Sequence, residues 1–543
     1  MTINYIVNDP AVAGAQAQPI APSPDRSASG VTFTIANLPP EQVFNVGTDE
    51  FVAWQAREAA LRALNTFEAF AGPLPGWEGK PSKKKLALRP NDGQDLNAYY
   101  DRTSVSFFEF PVDGNRVFSG ASTDVVAHEV GHAILDALRP DLWSVQMFEI
   151  PAFHEGFGDC IAIMTALADQ ATRTNLLATN PTLAAANFVE ATAEQLSAAI
   201  ARAISPNHNA SKPRRALSTF QWALPQTLPD DGGPTVLINE IHSFGQLTSG
   251  CYYELIREIF LGTQANQGSE QGLLQACQTA TRLLAQAAIA APIRPRFLET
   301  IGRTMILVDR SQFNAANEAF IRAAFQRHGI ALSVTSFLAP RVALGPGRAE
   351  PRRAAGTRRA AASAGDYLTA PAKRYLNSLM DVDPNAKQAT TAFGASGDDT
   401  AQVTTQRKVD LTGVSERLAN VKCYTPYSTL VGTSGGAPAV LGAIDPAAMI
   451  SSEVREYVAT LVRRGQVDFT RPGAAKRSAV KGAKKKAKAK KGKAAKRAKR
   501  GAGYVSQDNR PTHVLRQRGA DVVIERVNFS CGCHPMPWRC VSA

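Results

Sequence analysis

The sequence predicts an α+β protein followed by an accessory C-terminal region, and three observations carry that expectation. Residues 47 to 72 have the apolar spacing of a helix, and residues 158 to 204 and 251 to 330 are rich in Ala, Leu and Gln and so mostly helical. THVLRQRGADVVIERVNF, near the C-terminus, reads as two strands around Arg518-Gly519. Beyond about residue 340 the composition shifts to a Gly, Ala and Arg linker, GPGRAEPRRAAGTRRAAASAG. With 543 residues and 44% hydrophobic content the chain has room for about three or four globular domains.

Taken in order, residues 1 to 30 open with MTINYIVNDPAVAGAQAQPIAPSPDR, which has neither a positive n-region nor a continuous apolar core. They are expected to form a flexible leader and not a Sec signal. The helix in TDEFVAWQAREAALRALNTFEAFAG has Thr48 as a cap and Gly72 as a stop. In ASTDVVAHEVGHAILDALRP, Ser122, Thr123 or Asp124 can cap a helix that buries Val125, Val126, Val130, Ile134 and Leu135 and ends before Pro140. PAFHEGFGDCIAIMTAL begins the next. No run of about 18 apolar residues occurs, which excludes a transmembrane helix.

Chemistry concentrates in these two helices. His128 and His132 are four apart, so both imidazoles lie on one helix face about a turn apart, as two ligands of a catalytic zinc. Glu129 adjoins the first histidine, where a carboxylate can reach a metal-activated water without being a ligand, the arrangement for hydrolysis. Glu155 and Asp159, also four apart, share a face, so Glu155 can be the third ligand while Asp159 orients His128 through its other ring nitrogen. His154 competes with Glu155 for the third position.

STDVVAHEVGHAILD followed by EGFGD resembles the thermolysin-like zinc metallopeptidases, whose site is built from HExxH and a downstream E-x-x-x-D. LNAYYDRTSVSFFEF, residues 96 to 110, is similar to that family's cleft segment, an Asn-Ala-aromatic turn and an edge strand that pairs with substrate backbone. IHSFGQLTSGCYYEL and the stretch FLETIGRTMILVDRSQFNAANEAFIRAAFQRHGI extend the similarity over roughly residues 30 to 332. The resemblance implies a thermolysin-like two-lobed peptidase. Its β-rich N-terminal lobe, residues 31 to 138, would end in the zinc helix, and its α-helical lobe would span 139 to 335 with the cleft between.

It further implies that His128, His132 and Glu155 bind Zn2+, that Glu129 is general base, and that His242 stabilises the oxyanion. Asn97 and the backbone of Ala98 would hold substrate, Val125 would line an apolar pocket for the residue after the scissile bond, and Arg214, or Arg215 beside it, would bind substrate. Trp143 stands where the family has a tyrosine supporting the oxyanion; an indole N–H can also donate. Asp124 stands where the family has a calcium ligand, but its expected partner, seven residues past Asp159, is Ala166, which weakens the case for calcium.

Residues 366 to 472 form an accessory domain to which the sequence assigns no role; within it SSEVREYVATLVRRG, with Ser452 and Glu456, reads as a helix. Residues 476 to 500 hold 14 Lys or Arg and no acid, so the net charge of +13 resides almost wholly there. Such a Lys/Ala run, in a disordered segment 473 to 502, can bind nucleic acid or another polyanion by counterion release, or serve as a solvated linker. In the final segment, 503 to 543, Cys531, Cys533, His534 and Cys540 could form a soft-metal site, a redox pair or free thiols. Seven scattered cysteines suit a reducing compartment, hence a cytoplasmic protein or one released without a Sec signal. The expected activity is zinc-dependent endopeptidase action on peptide or protein substrates. The competing class is a non-catalytic or weakly active peptidase scaffold that binds polyanions through its basic segment.

Overall fold

The computed structural model describes residues 2–27, 30–78, 82–263, 268–345, 368–393, 400–434, 437–472 and 511–530. The basic segment 476–500 and the cluster of Cys531, Cys533, His534 and Cys540 lie outside them, as does most of the linker. The described residues are mixed α and β, as the sequence predicts.

The N-terminal part holds a short pair, β1 (Ile3–Tyr5) with β2 (Gln18–Ile20), and the strands β3 (Thr32–Thr34), β4 (Lys85–Arg89), β5 (Ala98–Tyr100) and β6 (Ser104–Phe107). A hairpin of β7 (Glu109–Val112) and β8 (Asn115–Phe118) follows. Strands β3, β4 and β6 are parallel and β5 runs antiparallel beside β6, so β5 would be the sheet edge if this part of the chain stood alone. Against the sheet lies α1 (Asp49–Ala71), whose N-terminus is capped by Thr48, its hydroxyl accepting from the Phe51 N–H at 3.2 Å.

Next come α2 (Thr123–Leu138), α3 (Glu149–Ala168), α4 (Gln170–Thr179), the pair β9 (Ala191–Thr192) and β10 (Arg214–Arg215) flanking α5 (Glu194–Ala203), and α6 (Ile241–Gly262). Helices α7 (Glu270–Ala290), α8 (Phe297–Gln312), α9 (Glu318–Arg327) and the one-turn α10 (Thr335–Leu338) complete the helical part. Ser122 caps α2 by accepting from the Val125 N–H at 3.3 Å, and the helix ends at Leu138, two residues before Pro140. Helices α3 and α6 meet through Gly156: a Cβ there would stand 2.3 Å from the Gly245 carbonyl oxygen. A Cβ on Gly158 would stand 2.6 Å from His128 Nδ1. These two absent methyls let α2, α3 and α6 approach closely enough to share one site.

The accessory region forms an eight-stranded sheet from β11 (Pro340–Ala343), β12 (Ala389–Ala392), β13 (Thr400–Asp410), β14 (Val421–Ser434), β15 (Ala437–Leu441), β16 (Val467–Asp468), β17 (His513–Arg518) and β18 (Asp521–Arg526), with α11 (Ala370–Leu379) and α12 (Ala447–Arg463) beside it. The expected hairpin around Arg518-Gly519 is β17–β18, with Gly519 at φ 59°. It joins β14 on one side and β16 on the other, so the basic segment is an insertion between neighbouring strands of one sheet.

Two expectations change. The leader is packed, not loose: Ile3, Tyr5 and Ile6 are buried, and the Ile6 backbone exchanges two 2.9 Å hydrogen bonds with the Gln55 side chain. The Pro, Ala and Gln content of residues 1 to 30 concealed the short apolar run INYIV, which buries enough surface to anchor the segment. The division near residue 335 marks a change of composition and not of packing. One apolar core runs from Tyr5 to Phe529, and Arg294 meets Asp445 in a two-bond ion pair at 2.9 and 3.0 Å across that division. No helix among the described residues is long and apolar enough to cross a membrane.

Candidate metal centre and its cleft

Helix α2 carries His128 and His132 on one face, and α3 brings Glu155 opposite them. Glu155 Oε2 stands 3.4 Å from His128 Nε2 and 3.6 Å from His132 Nε2, with all three side chains buried. Ligands about 2.0 to 2.2 Å from a tetrahedral zinc lie about 3.3 to 3.6 Å from one another, so these separations match edges of such a tetrahedron. Both Nε2 atoms, both Glu155 oxygens and both Glu129 oxygens are buried without a hydrogen bond of good geometry, a costly state unless a cation or water is held among them. His128, His132 and Glu129 also offer ligand atoms within 4.8 Å of one another. Glu155 is the better third ligand because its oxygen faces both imidazoles, while Glu129 shares α2 with them. The residues present fit a zinc ion.

The outer ring nitrogens are fixed in turn. His128 Nδ1 is 2.9 Å from Asp159 Oδ1, which makes Nδ1–H the donor and turns the Nε2 lone pair inward. Arg214, on β10, donates to Asp159 from Nε at 3.0 and 3.1 Å and from a terminal nitrogen at 2.9 Å. Its guanidinium therefore sits behind the first histidine. Burial alone would raise the Asp159 pKa, but Arg214 and His128 outweigh it and hold the carboxyl below its usual range. The neighbouring Arg215 pairs with Glu190 instead.

His154, the rival third ligand, faces the other way: its Nδ1 lies 3.0 Å from His132 Nδ1. Burial holds the His154 pKa well below the usual value, so the ring is neutral, and with the His132 Nε2 lone pair turned toward Glu155 the His132 Nδ1–H is the donor and His154 accepts. It does for His132 what Asp159 does for His128. Val125, on the same helix, is fully buried.

His242 comes from the first turn of α6. Its Nδ1 is 2.6 Å from Glu240 Oε1, its Nε2 is 3.2 Å from Glu155 Oε2, and the same Nε2 is 2.8 Å from the Ser530 carbonyl oxygen. Both nitrogens face acceptors, so both carry hydrogen. Burial would lower the His242 pKa, yet the carboxylates of Glu155 and Glu240 hold it up at about 9. Glu240 doubles as the N-cap of α6, accepting from the Ser243 N–H at 2.9 Å. Burial pushes the Glu129 carboxyl up to about 8; a nearby cation would draw it back toward neutrality, the range a proton carrier needs.

The cleft residues are met by the far end of the chain. Strand β19 (Phe529–Ser530) pairs antiparallel with β5, Phe529 opposite Tyr100 and Ser530 opposite Tyr99, and becomes the edge of the N-terminal sheet. Asn97 Oδ1 accepts from the Ala98 N–H and from the Ser530 hydroxyl, each at 2.8 Å. The Trp143 indole donates to the Arg526 carbonyl oxygen at 3.3 Å. Nothing in the sequence pointed to Phe529 or Ser530, which lie hundreds of residues from the motifs they touch.

Asp124 also finds partners that were not foreseen. Asp9, Asp124 and Glu194 offer carboxylate oxygens within 4.8 Å of one another, and one oxygen of each is buried without a hydrogen bond. Burial raises all three pKa values, and the neighbouring carboxylates raise those of Asp124 and Glu194 further. The cluster holds protons at neutral pH or gathers a cation; the acids come from the leader and from α5, not from the position of Ala166.

No family model matches the chain, and no curated protein matches it either.

Proposed function

We propose that this protein is a zinc-dependent endopeptidase with a thermolysin-like two-lobed core, to which the C-terminal sheet is added. The observation that carries the reading is the convergence of His128 Nε2, His132 Nε2 and Glu155 Oε2 at tetrahedral-edge separations, each histidine steadied from behind, beside a buried Glu129. A purely structural zinc would have no need of a base next to its ligand. Bound zinc would supply Lewis-acid polarisation and make a water acidic near neutral pH.

The chain's own groups do the rest. Glu129 takes a proton from the attacking water and returns it to the departing nitrogen. His242, oriented by Glu240, donates Nε2–H toward the peptide carbonyl oxygen as negative charge develops, an interaction that in comparable sites contributes about 2.7 to 4 kcal/mol. Asn97 and β5 hold the backbone of an extended substrate as an added strand. Beside His242 an open cavity lined by Leu196, Ile200, Arg214 and Gln246 offers an apolar wall for the residue after the scissile bond.

The test is metal analysis paired with hydrolysis of a quenched peptide. The native chain should carry about one zinc and lose activity to a chelator. Glu129→Gln should keep the metal and lose several orders of magnitude in turnover, because the base goes and the ligands stay. Substantial turnover by that variant would sink the mechanism.

A further inference from the structure

One strand of the chain stands where an extended substrate would lie. β19 follows β18 after only Val527 and Asn528, and it runs antiparallel to β5, the strand that would hold substrate backbone. Its side chains are buried, Phe529 at 1% and Ser530 at 5% exposure. The Phe529 ring stacks on His132 at 4.9 Å and on His154 at 4.0 Å, and meets Trp143 edge-on at 5.3 Å. The Ser530 hydroxyl donates to Asn97 Oδ1 and the Ser530 carbonyl oxygen accepts from His242 Nε2, both at 2.8 Å. The β5 edge, the Asn97 side chain and the His242 donor, which would receive a substrate, are thus all engaged at once. Covering a sheet edge requires the first of these contacts and neither of the others.

We propose that β19 is a built-in competitive inhibitor, a strap that the accessory sheet lays in the cleft and that a substrate must displace. This rests on the peptidase reading and gives the accessory region a part in it. The strap is anchored just before it enters the cleft. The Arg526 guanidinium donates to the Tyr457 hydroxyl at 2.8 Å, and the Val527 N–H donates to the Thr512 carbonyl oxygen at 2.8 Å. The part that must leave is therefore short, and its anchor keeps it beside the cleft at a high effective concentration. Closed and open forms are related by an equilibrium within one molecule. Apparent affinity for substrate falls with the fraction of chains that are open, while turnover at saturation is unaffected.

The experiment compares the zinc-loaded native, Phe529→Ala and Ser530→Ala chains in hydrolysis of a quenched peptide, with metal analysis of each. Removing a buried phenylalanine side chain shifts an equilibrium by about a hundredfold or more, so Phe529→Ala should lower KM at least about tenfold with kcat unchanged. Ser530→Ala loses one hydrogen bond to Asn97, and its KM should fall about fivefold. The KM of the native chain should not vary with protein concentration. The synthetic peptide Arg-Val-Asn-Phe-Ser, the sequence of residues 526 to 530, should inhibit Phe529→Ala competitively, and the same peptide with alanine in place of phenylalanine should not. A further readout needs no turnover. In zinc-loaded Glu129→Gln, the amides that β19 and β5 contribute to their pairing should resist hydrogen exchange; when the quenched peptide saturates the cleft, the β19 amide should lose protection and the β5 amide should keep it.

An unchanged KM in both variants, or a β19 amide still protected under saturating peptide, overturns the strap and leaves the peptidase reading standing. If Phe529→Ala loses zinc along with its stack on His132, Ser530→Ala and the exchange measurement decide. Should the zinc-loaded native chain and both variants hydrolyse nothing, the peptidase reading fails and the strap's regulatory role falls with it.

Discussion

Replacing Gly156 by alanine tests whether the close approach of α3 and α6 builds the site. A Cβ at this position would lie 2.3 Å from the Gly245 carbonyl oxygen and 2.5 Å from Thr248 Cβ. Neither neighbour is the free end of a flexible side chain, so the helices must part. Moving from 2.3 Å to the 3.0 Å below which such contacts essentially do not occur takes at least about 0.7 Å. Helix propensity favours alanine over glycine by about 1 kcal/mol, and overpacking costs about 1 to 3 kcal/mol or more. The net expectation is a loss of up to about 2 kcal/mol, which in a core of this size lowers the unfolding midpoint by up to about 2 °C. The same displacement carries Glu155 and His242 apart, and a misplacement near 1 Å can cost about a hundredfold in rate. Zinc content should survive, because the contact between α2 and α3 is untouched. Thermal unfolding, metal analysis and peptide hydrolysis would be measured together, with Gly233→Ala as control, since a Cβ there meets nothing within 4 Å. A Gly156→Ala protein with the native midpoint and native turnover would refute the argument.

Three further outcomes are expected. Glu155→Ala should lose the metal and His154→Ala should keep it, though more weakly bound; the reverse, read by metal analysis, would exchange their roles. Burial raises the Asp9, Asp124 and Glu194 pKa values in the folded state, with repulsion adding at Asp124 and Glu194, and that of Glu194 goes from 4.5 to about 8, so protons are bound more tightly in the folded than in the unfolded chain. Their contribution to stability is then complete below about pH 4.5 and is lost as pH rises toward 8. In chelator, Asp124→Asn with Glu194→Gln should flatten the fall of the unfolding midpoint between pH 5 and 8, and an unchanged slope would dismiss the cluster as its source. Deleting residues 476 to 500, with 14 basic and no acidic residues, should leave hydrolysis of a short neutral peptide intact and remove most of the salt dependence of polyanion binding. Equal salt slopes for the intact and deleted chains would acquit the basic segment.

What was legible in the sequence is what local geometry dictates. At 3.6 residues per turn, the spacings of His128 with His132 and of Glu155 with Asp159 each set two side chains on one helix face. Ser122 before α2, Pro140 after it and Gly519 in the β17–β18 hairpin announce ends and turns through the chemistry of single residues. That His132 is steadied by His154, that Asp124 gathers Asp9 and Glu194, and that Ser530 lies against His242 could be decided only by tertiary structure. Strand pairing is made by backbone groups common to every residue, so nothing in Phe529-Ser530 marks it as the partner of Tyr99-Tyr100. Helix approach depends on which glycine meets which carbonyl, a fact absent until the core has closed. Sequence alone determined which groups could perform the chemistry; packing decided which of them meet, and brought a remote piece of the same chain to the place where that chemistry would occur.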